Sequence, residues 1–355
     1  MMNTRKLLLP LFTALFGLAA SAFAQTVTTE ATVARVTGAA TVTMPDGSTT
    51  ALTPGMKVPQ GATIKTGADG DVYIESHAGY ITSIKKDSEV AVAELSVTTE
   101  GGKVKEEKTL LDLKSGNLVA KLDPSKHAVN NYQVRTPKGV AAARGTVFTV
   151  QYKGGTYAIA VVNGVVTVTP PLHNGLVNNS GGKSSAGVQV NAGQAVITNQ
   201  TGSVSEDAGA AYRSRALTDL ANNSDNAAGV SVRDLLATAV ATVTLAAQNN
   251  IGGTTAAEAA QVAQAVFTAV PGAAEQAGAL IKASNDKNPP ADPAAAAAVI
   301  QAVTTATPAA AQGAFTSGAT TGTFTPNTNT TATSTPNAPV TAPQPIDPST
   351  VSRSN

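Results

Sequence analysis

The chain has 355 residues, a net charge of +1 at pH 7, 13% charged residues, 4% aromatic residues and no cysteine. The missing cysteine excludes disulfide staples, thiolate metal sites, thiol catalysis and a lipid-modified N-terminal cysteine. The near-neutral balance leaves no basic footprint for nucleic acid or an anionic membrane. Residues 1–24 read as an export signal. Arg5 and Lys6 precede an apolar run from Leu7 to Ala20, and Ala22-Phe23-Ala24 is a small-residue cleavage site before Gln25. A run of that length does not span a bilayer comfortably, and no later stretch approaches the roughly 20 apolar residues a membrane helix needs. These features predict a periplasmic or secreted protein with no stable membrane insertion after signal cleavage.

Residues 25–204 read as a β domain. Short runs rich in β-branched residues fall at Val33–Val36, Ala40–Met44, Ser48–Leu52, Val72–Ile74, Tyr80–Ile84, Val90–Leu95, Thr109–Leu113 and Leu118–Leu122. They continue at Tyr132–Thr136, Thr146–Tyr152, Tyr157–Val162, Val165–Thr169, Gly187–Val190 and Ala195–Thr198. Asp46-Gly47, Asp69-Gly70, Gly101-Gly102 and Asn163-Gly164 punctuate them. The last, flanked by Val161-Val162 and Val165-Val166, predicts a type I′ hairpin. Regular short strands of this kind predict a mainly β fold, either a sandwich or a solenoid-like stack.

The stretch from Tyr132 to Val150, YQVRTPKGVAAARGTVFTV, organises that domain. Tyr132, Val134 and Thr136 alternate with polar residues, Pro137-Lys138-Gly139 supplies a turn, and a small-residue arm leads through Arg144-Gly145 into an apolar strand from Thr146. Arg144 has two readings. As a structural clamp its guanidinium fork would tie carbonyls or a carboxylate at the mouth of the strand; otherwise it would be an exposed recognition residue. The expectation is the clamp.

These residues resemble the signature of the FecR domain. Thr136, Pro137 and Gly139, then Arg144, Gly145, Thr146 and Phe148, match its core pattern, and Gly164 in VVNGVVTV and Gly193 in VNAGQAVI match later landmarks in the same order. The resemblance spans about residues 33–200 and implies a structural role for these motif residues. It also implies the extracytoplasmic β module of regulators that relay surface signals in bacteria. Those regulators join the module through a membrane helix to a cytoplasmic segment that controls a sigma factor. This sequence departs from that pattern, so only the extracytoplasmic module carries over.

From about Ser205 the period becomes helical. Residues 205–315 are Ala-rich, with capping-box patterns at Ser231–Asp234 and Thr255–Glu258 and Pro-started helices after Asp292 and Thr307. A run from Val262 to Ala274 recurs 37 residues later, from Val299 to Ala311, with Val, Gln, Thr and Pro in register. That predicts a helical-hairpin unit occurring twice. Residues 316–355 are Thr, Pro and Asn-rich and predict a disordered tail.

Chemistry-bearing motifs are sparse. His77, His127 and His173 lie in no metal-ligand spacing and read as surface or loop histidines, while Asp69, Asp71, Glu106 and Glu107 read as solvated charges. No nucleophile and base pair emerges, and no cofactor is predicted. The sequence therefore points to a non-enzymatic, exported, protein-binding or surface-sensing module whose partner is a protein or an envelope polymer. The alternative is a structural or adhesive envelope component.

Overall fold

The computed structural model describes residues 24–170, 187–198, 214–222 and 230–323. The export signal, His173 and the tail beyond residue 323 lie outside the described residues. The fold is mainly β, followed by a helical layer. The strands are β1 Gln25–Thr28, β2 Glu30–Thr37, β3 Ala40–Thr43, β4 Thr49–Ala51, β5 Lys57–Pro59, β6 Thr63–Thr66, β7 Asp71–His77, β8 Tyr80–Ile84 and β9 Glu89–Glu100. They continue with β10 Lys103–Leu122, β11 Asn130–Thr136, β12 Gly139–Ala143, β13 Val147–Lys153, β14 Thr156–Asn163, β15 Val165–Thr169, β16 Val188–Asn191, β17 Gln194–Thr198 and β18 Arg215–Ala216. The helices are α1 Leu217–Asn222, α2 Val232–Gln248, α3 Ala256–Ala269, α4 Ala274–Lys287, α5 Pro293–Ala306 and α6 Ala309–Thr321.

The strands close into a barrel with two faces. In the first sheet β9 pairs with β10, β10 with β11 in parallel, and the ladder continues through β12, β15 and β16. In the second sheet β2, β7, β8, the end of β10, β13, β14 and β17 follow one another. Strand β10 serves both: it pairs with β9 and β11 up to Ser115 and with β8 and β13 from Gly116 onward. The two runs expected at Thr109–Leu113 and Leu118–Leu122 are thus one bent strand.

Glycine marks the corners where the chain changes sheets. Gly116 bends β10, Gly145 links β12 to β13, Gly164 links β14 to β15 and Gly193 links β16 to β17, all at positive φ. An added Cβ at Gly145 would lie 2.7 Å from the Cα of Pro124, so both conformation and space demand glycine there. This corrects the hairpin expected at Asn163-Gly164. Strand β14 pairs with β13 and β17, whereas β15 pairs with β12 and β16, so the dipeptide is a corner between sheets. Asp46-Gly47 and Gly101-Gly102, by contrast, do close hairpins, β3 with β4 and β9 with β10.

Inside the barrel, Tyr80, Ile84, Leu118, Phe148, Val150, Ile159 and Val161 pack against Val92, Leu111, Val134 and Val168. The second sheet is apolar on its other face as well. Tyr73, Ile81, Val119, Val147, Ala160, Val162 and Ala195 point away from the barrel and form one core with the helices. Helix α2 (VRDLLATAVATVTLAAQ) is apolar on most of its circumference and lies between this sheet and helices α3 to α5. Its N-terminus is set by Ser231, whose hydroxyl accepts from the Asp234 amide, and Thr255 with Glu258 forms a complete capping box at α3.

In the remaining helices, α3 packs on α5 and α4 on α6. Among the positions 37 residues apart, Val262 and Val299, Val266 and Val303, and Ala274 and Ala311 are buried, and Pro271 and Pro308 stand before α4 and α6. Asp292 caps α5 with its carboxylate, as expected. Thr307 does not cap α6; its hydroxyl donates back to the Val303 carbonyl at 2.7 Å. Helix α6 runs to Thr321, past the tail boundary expected at residue 316. Likewise β18, beyond the expected end of the β domain at residue 204, pairs with β17.

Helices α4 and α6 touch backbone to backbone. A Cβ added at Gly318 would collide with the Glu275 carbonyl oxygen, whereas one added at Gly313 meets nothing within 4 Å. Gly318→Ala is therefore expected to lower stability by about 2 kcal/mol through overpacking. Gly313→Ala in the same helix should raise it by about 0.5 kcal/mol through helix propensity. Urea unfolding of the two variants checks this; equal effects would contradict the close helix contact.

Candidate functional site

The motif residues cluster at the corners and in the barrel core. Thr136 turns β11 into β12: its hydroxyl donates to the Gly139 carbonyl at 3.1 Å and accepts from the Lys138 amide. Pro137 is exposed at the tip of this turn. Gly139 starts β12 against the Thr169 carbonyl. Phe148 is fully buried and meets the Tyr132 ring edge-on at 6.1 Å between centroids, and the Tyr132 hydroxyl shares a hydrogen bond with Thr82. Thr146 is buried beside Gly164.

Arg144 corrects the clamp expectation. The arm before it is a strand, β12, whose residues alternate between buried Gly139, Ala141 and Ala143 and half-exposed Val140 and Ala142. Arg144 continues the outward phase, is exposed, and makes no hydrogen bond or ion pair among the described residues. The alternation was hidden because small Ala residues occupy both faces of the strand.

The buried cations lie elsewhere. A β-bulge between Val33 and Arg35 in β2 turns Arg35 toward the helices while Val36 packs on the barrel core. Arg35 is 3% exposed, and its Nη2 donates to the Asn288 carbonyl at 2.7 Å and to the carbonyl and hydroxyl of Ser284 at 3.3 and 3.2 Å. Its Nε and Nη1 have no hydrogen-bond partner among the described residues. Asn288 in turn donates its side-chain amide to the Val36 carbonyl, which fastens the end of α4 to β2.

Beside Arg35, Asp71 accepts from Lys85 Nζ at 2.9 Å and from the Ser83 hydroxyl at 2.8 Å. Lys85 also lies over the Tyr73 ring at 5.2 Å. Burial lowers the pKa of Lys85, opposed by the Asp71 charge, and burial likewise lowers that of Arg35. Burial, with Asp71 adding to it, holds the Tyr73 phenol far above its ordinary value, so it stays protonated. At the other end of the layer Lys121, whose side chain is 6% exposed, pairs with Glu258 at 2.9 Å.

Next to this network a cleft of about 430 Å³ opens between the barrel and helices α2 and α4. Lys85, Lys86 and Asp87 rim it from the β8–β9 turn, Gly116 and Asn117 from the bend of β10, and Lys153 from the end of β13. Leu245 and Leu280 supply an apolar wall from the two helices. Asp69 and Asp71, expected to be solvated charges, both line this cleft, and Asp71 is half-buried. Arg35 carried a usable signal, a cation in the apolar run Val33–Val36, but the cleft itself draws on segments far apart in the chain.

His77 is also corrected. It is buried, its Nε2 donates to the Lys108 carbonyl at 3.1 Å, and burial lowers its pKa. His127 is exposed, as expected. Among the described residues no group of three or more His, Asp or Glu side chains could hold a metal ion. No helix among them is long and apolar enough to cross a membrane.

Residues 62–167 match the family model described as FecR protein. The chain carries a FecR domain. The matched segment runs from the residue before β6 into β15, so it takes in Gly116, Gly145 and Gly164 at the sheet corners and the Tyr132–Phe148 core pair. No curated protein matches the chain. Two crystal structures of a candidate anti-sigma factor from Parabacteroides distasonis ATCC 8503 are similar at 12% and 11% identity, with TM-scores of 0.31 and 0.26. The alignments cover 43% and 55% of this chain and only 59% and 60% of those chains.

The buried network and the exposed arginine give opposite expectations for mutation. Asp71→Asn leaves Lys85 and Arg35 without a facing carboxylate and is expected to cost about 3 kcal/mol. Arg144→Ala should stay within about 0.5 kcal/mol of the parent. Denaturant melts of both decide the matter, and a large loss for Arg144→Ala would contradict its exposed placement.

Proposed function

We propose that this chain is a non-enzymatic, exported FecR-domain protein that works as a protein-binding or surface-sensing module. Its place is the periplasm or the cell exterior, and its partner is a protein or an envelope polymer. The observation that carries the reading is the unequal treatment of the two sheets around the FecR domain. Helices cover the second sheet, and the outer face of the first carries no layer among the described residues.

That free face is polar and ordered. Arg135 makes a two-pronged contact with Asp112 at 2.6 and 2.7 Å, Lys108 pairs with Glu94, and Asn131 donates to Glu106. Side chains held in this way keep much of their exposure, 50% for Arg135, while losing little further freedom on binding. At one end β1 pairs with β9 and leaves Val27 exposed, and Val104 is exposed on β10 across β9 from it. An edge strand and a rigid charged face suit recognition of an extended or complementary protein surface.

The test is capture from envelope extract on the immobilised chain beginning at Gln25, beside its Arg135→Glu variant. A discrete species held by the parent and reduced about tenfold by the charge reversal supports the reading. Retention of the same species by both proteins would place the contact away from the first sheet.

A further inference from the structure

The cleft between the barrel and the helices has a charge imbalance that the fold does not use. Four lysines and three aspartates line it, Lys85, Lys86, Lys153 and Lys287 against Asp69, Asp71 and Asp87. Lys85 is committed to Asp71 and Lys287 reaches Asp69 at 3.6 Å. Lys86, Lys153 and Asp87 are exposed and have no ion-pair partner among the described residues, so two uncommitted cations stand against one uncommitted anion. Behind the wall, bonded to Ser284, sits the buried Arg35, with two nitrogens unpartnered among the described residues. The lining thus carries one more positive than negative side chain, with the buried Arg35 cation behind it.

Its other wall is of the opposite character. Ala241 and Leu245 of α2 and Leu280 and Ala283 of α4 present aliphatic surface. Asn117 adds a polar side chain at the bend of β10. A volume of about 430 Å³, mostly apolar walls and a few convergent polar groups is the usual make-up of a small-ligand site.

We propose that this cleft binds an amphiphilic anion, with a carboxylate or phosphate group held by Lys86 and Lys153 and an aliphatic body against Leu245 and Leu280. Both lysines approach from the barrel and both leucines from the helices, so the ligand bridges the two layers. The proposal does not rest on the partner-binding reading, which uses the opposite sheet.

The test uses hexanoate and hexyl phosphate as probes, with hexanol and inorganic phosphate as the two halves of that chemistry. Amide chemical shifts of the full chain are followed in each titration. Either charged amphiphile should give saturable shifts centred on Asn117, Thr238 and Ser284, with a dissociation constant of about 1 mM for so small a ligand. Hexanol and inorganic phosphate should bind at least about fivefold more weakly, and raising the salt from low to about 0.5 M should weaken the charged probes. The preferred head group then separates a carboxylate source from a phosphate source. Lys86→Gln combined with Lys153→Gln, both at exposed positions, should reduce affinity about tenfold with an unchanged melting curve. Shifts that do not saturate, hexanol binding as tightly as hexanoate, insensitivity to salt, or full affinity in the double variant would each overturn the proposal.

Discussion

The second sheet is apolar on both faces, and the rest of the molecule follows from that. Its inner face closes the barrel, while Ile81, Val119, Val147 and Val162 point outward beneath the helices. Leaving those four side chains in water would forfeit on the order of 6 to 12 kcal/mol. That matches the whole stability expected of a domain. The helices are thus expected to fold with the barrel as one unit. Small residues on the sheet, Ala160 and Ala195, and on the helix, Ala239 and Ala246, make room for the close approach.

Polar ties hold the two layers in register. Arg35 reaches Ser284 and Asn288 at one end, and Lys121 reaches Glu258 at the other. A dry apolar interface between a sheet and a helix bundle tolerates sliding, whereas buried charged hydrogen bonds are satisfied in one position only. The cleft lies beside the Arg35 tie, where α2 and α4 meet the rim of the barrel at Lys85–Asp87 and the bend of β10.

Much of the fold was legible in the sequence, and the failures have physical causes. Alternating β-branched residues identified most strands, and capping residues located α2, α3 and α5. Strand β12 was missed because GVAAA has no large side chain to display a period of two. The Asn163-Gly164 dipeptide has the chemistry of a hairpin, and pairing partners distant in sequence made it a sheet corner. The FecR landmarks were readable as glycine punctuation, yet what they punctuate, the crossing between sheets, needs the three-dimensional pairing. The cleft was illegible for a related reason: its cations come from the β8–β9 turn, β13 and α4, and nothing local distinguishes Lys86 or Lys153 from any solvated lysine.

Native-state hydrogen exchange tests most directly whether the barrel and the helices are one cooperative unit. Amides of β14 and of α2 should open with the same free energy, equal to that of global unfolding measured in denaturant. Exchange from α2 at a markedly lower free energy, with β14 still protected, would mean that the helices detach from a self-sufficient barrel and would contradict the account.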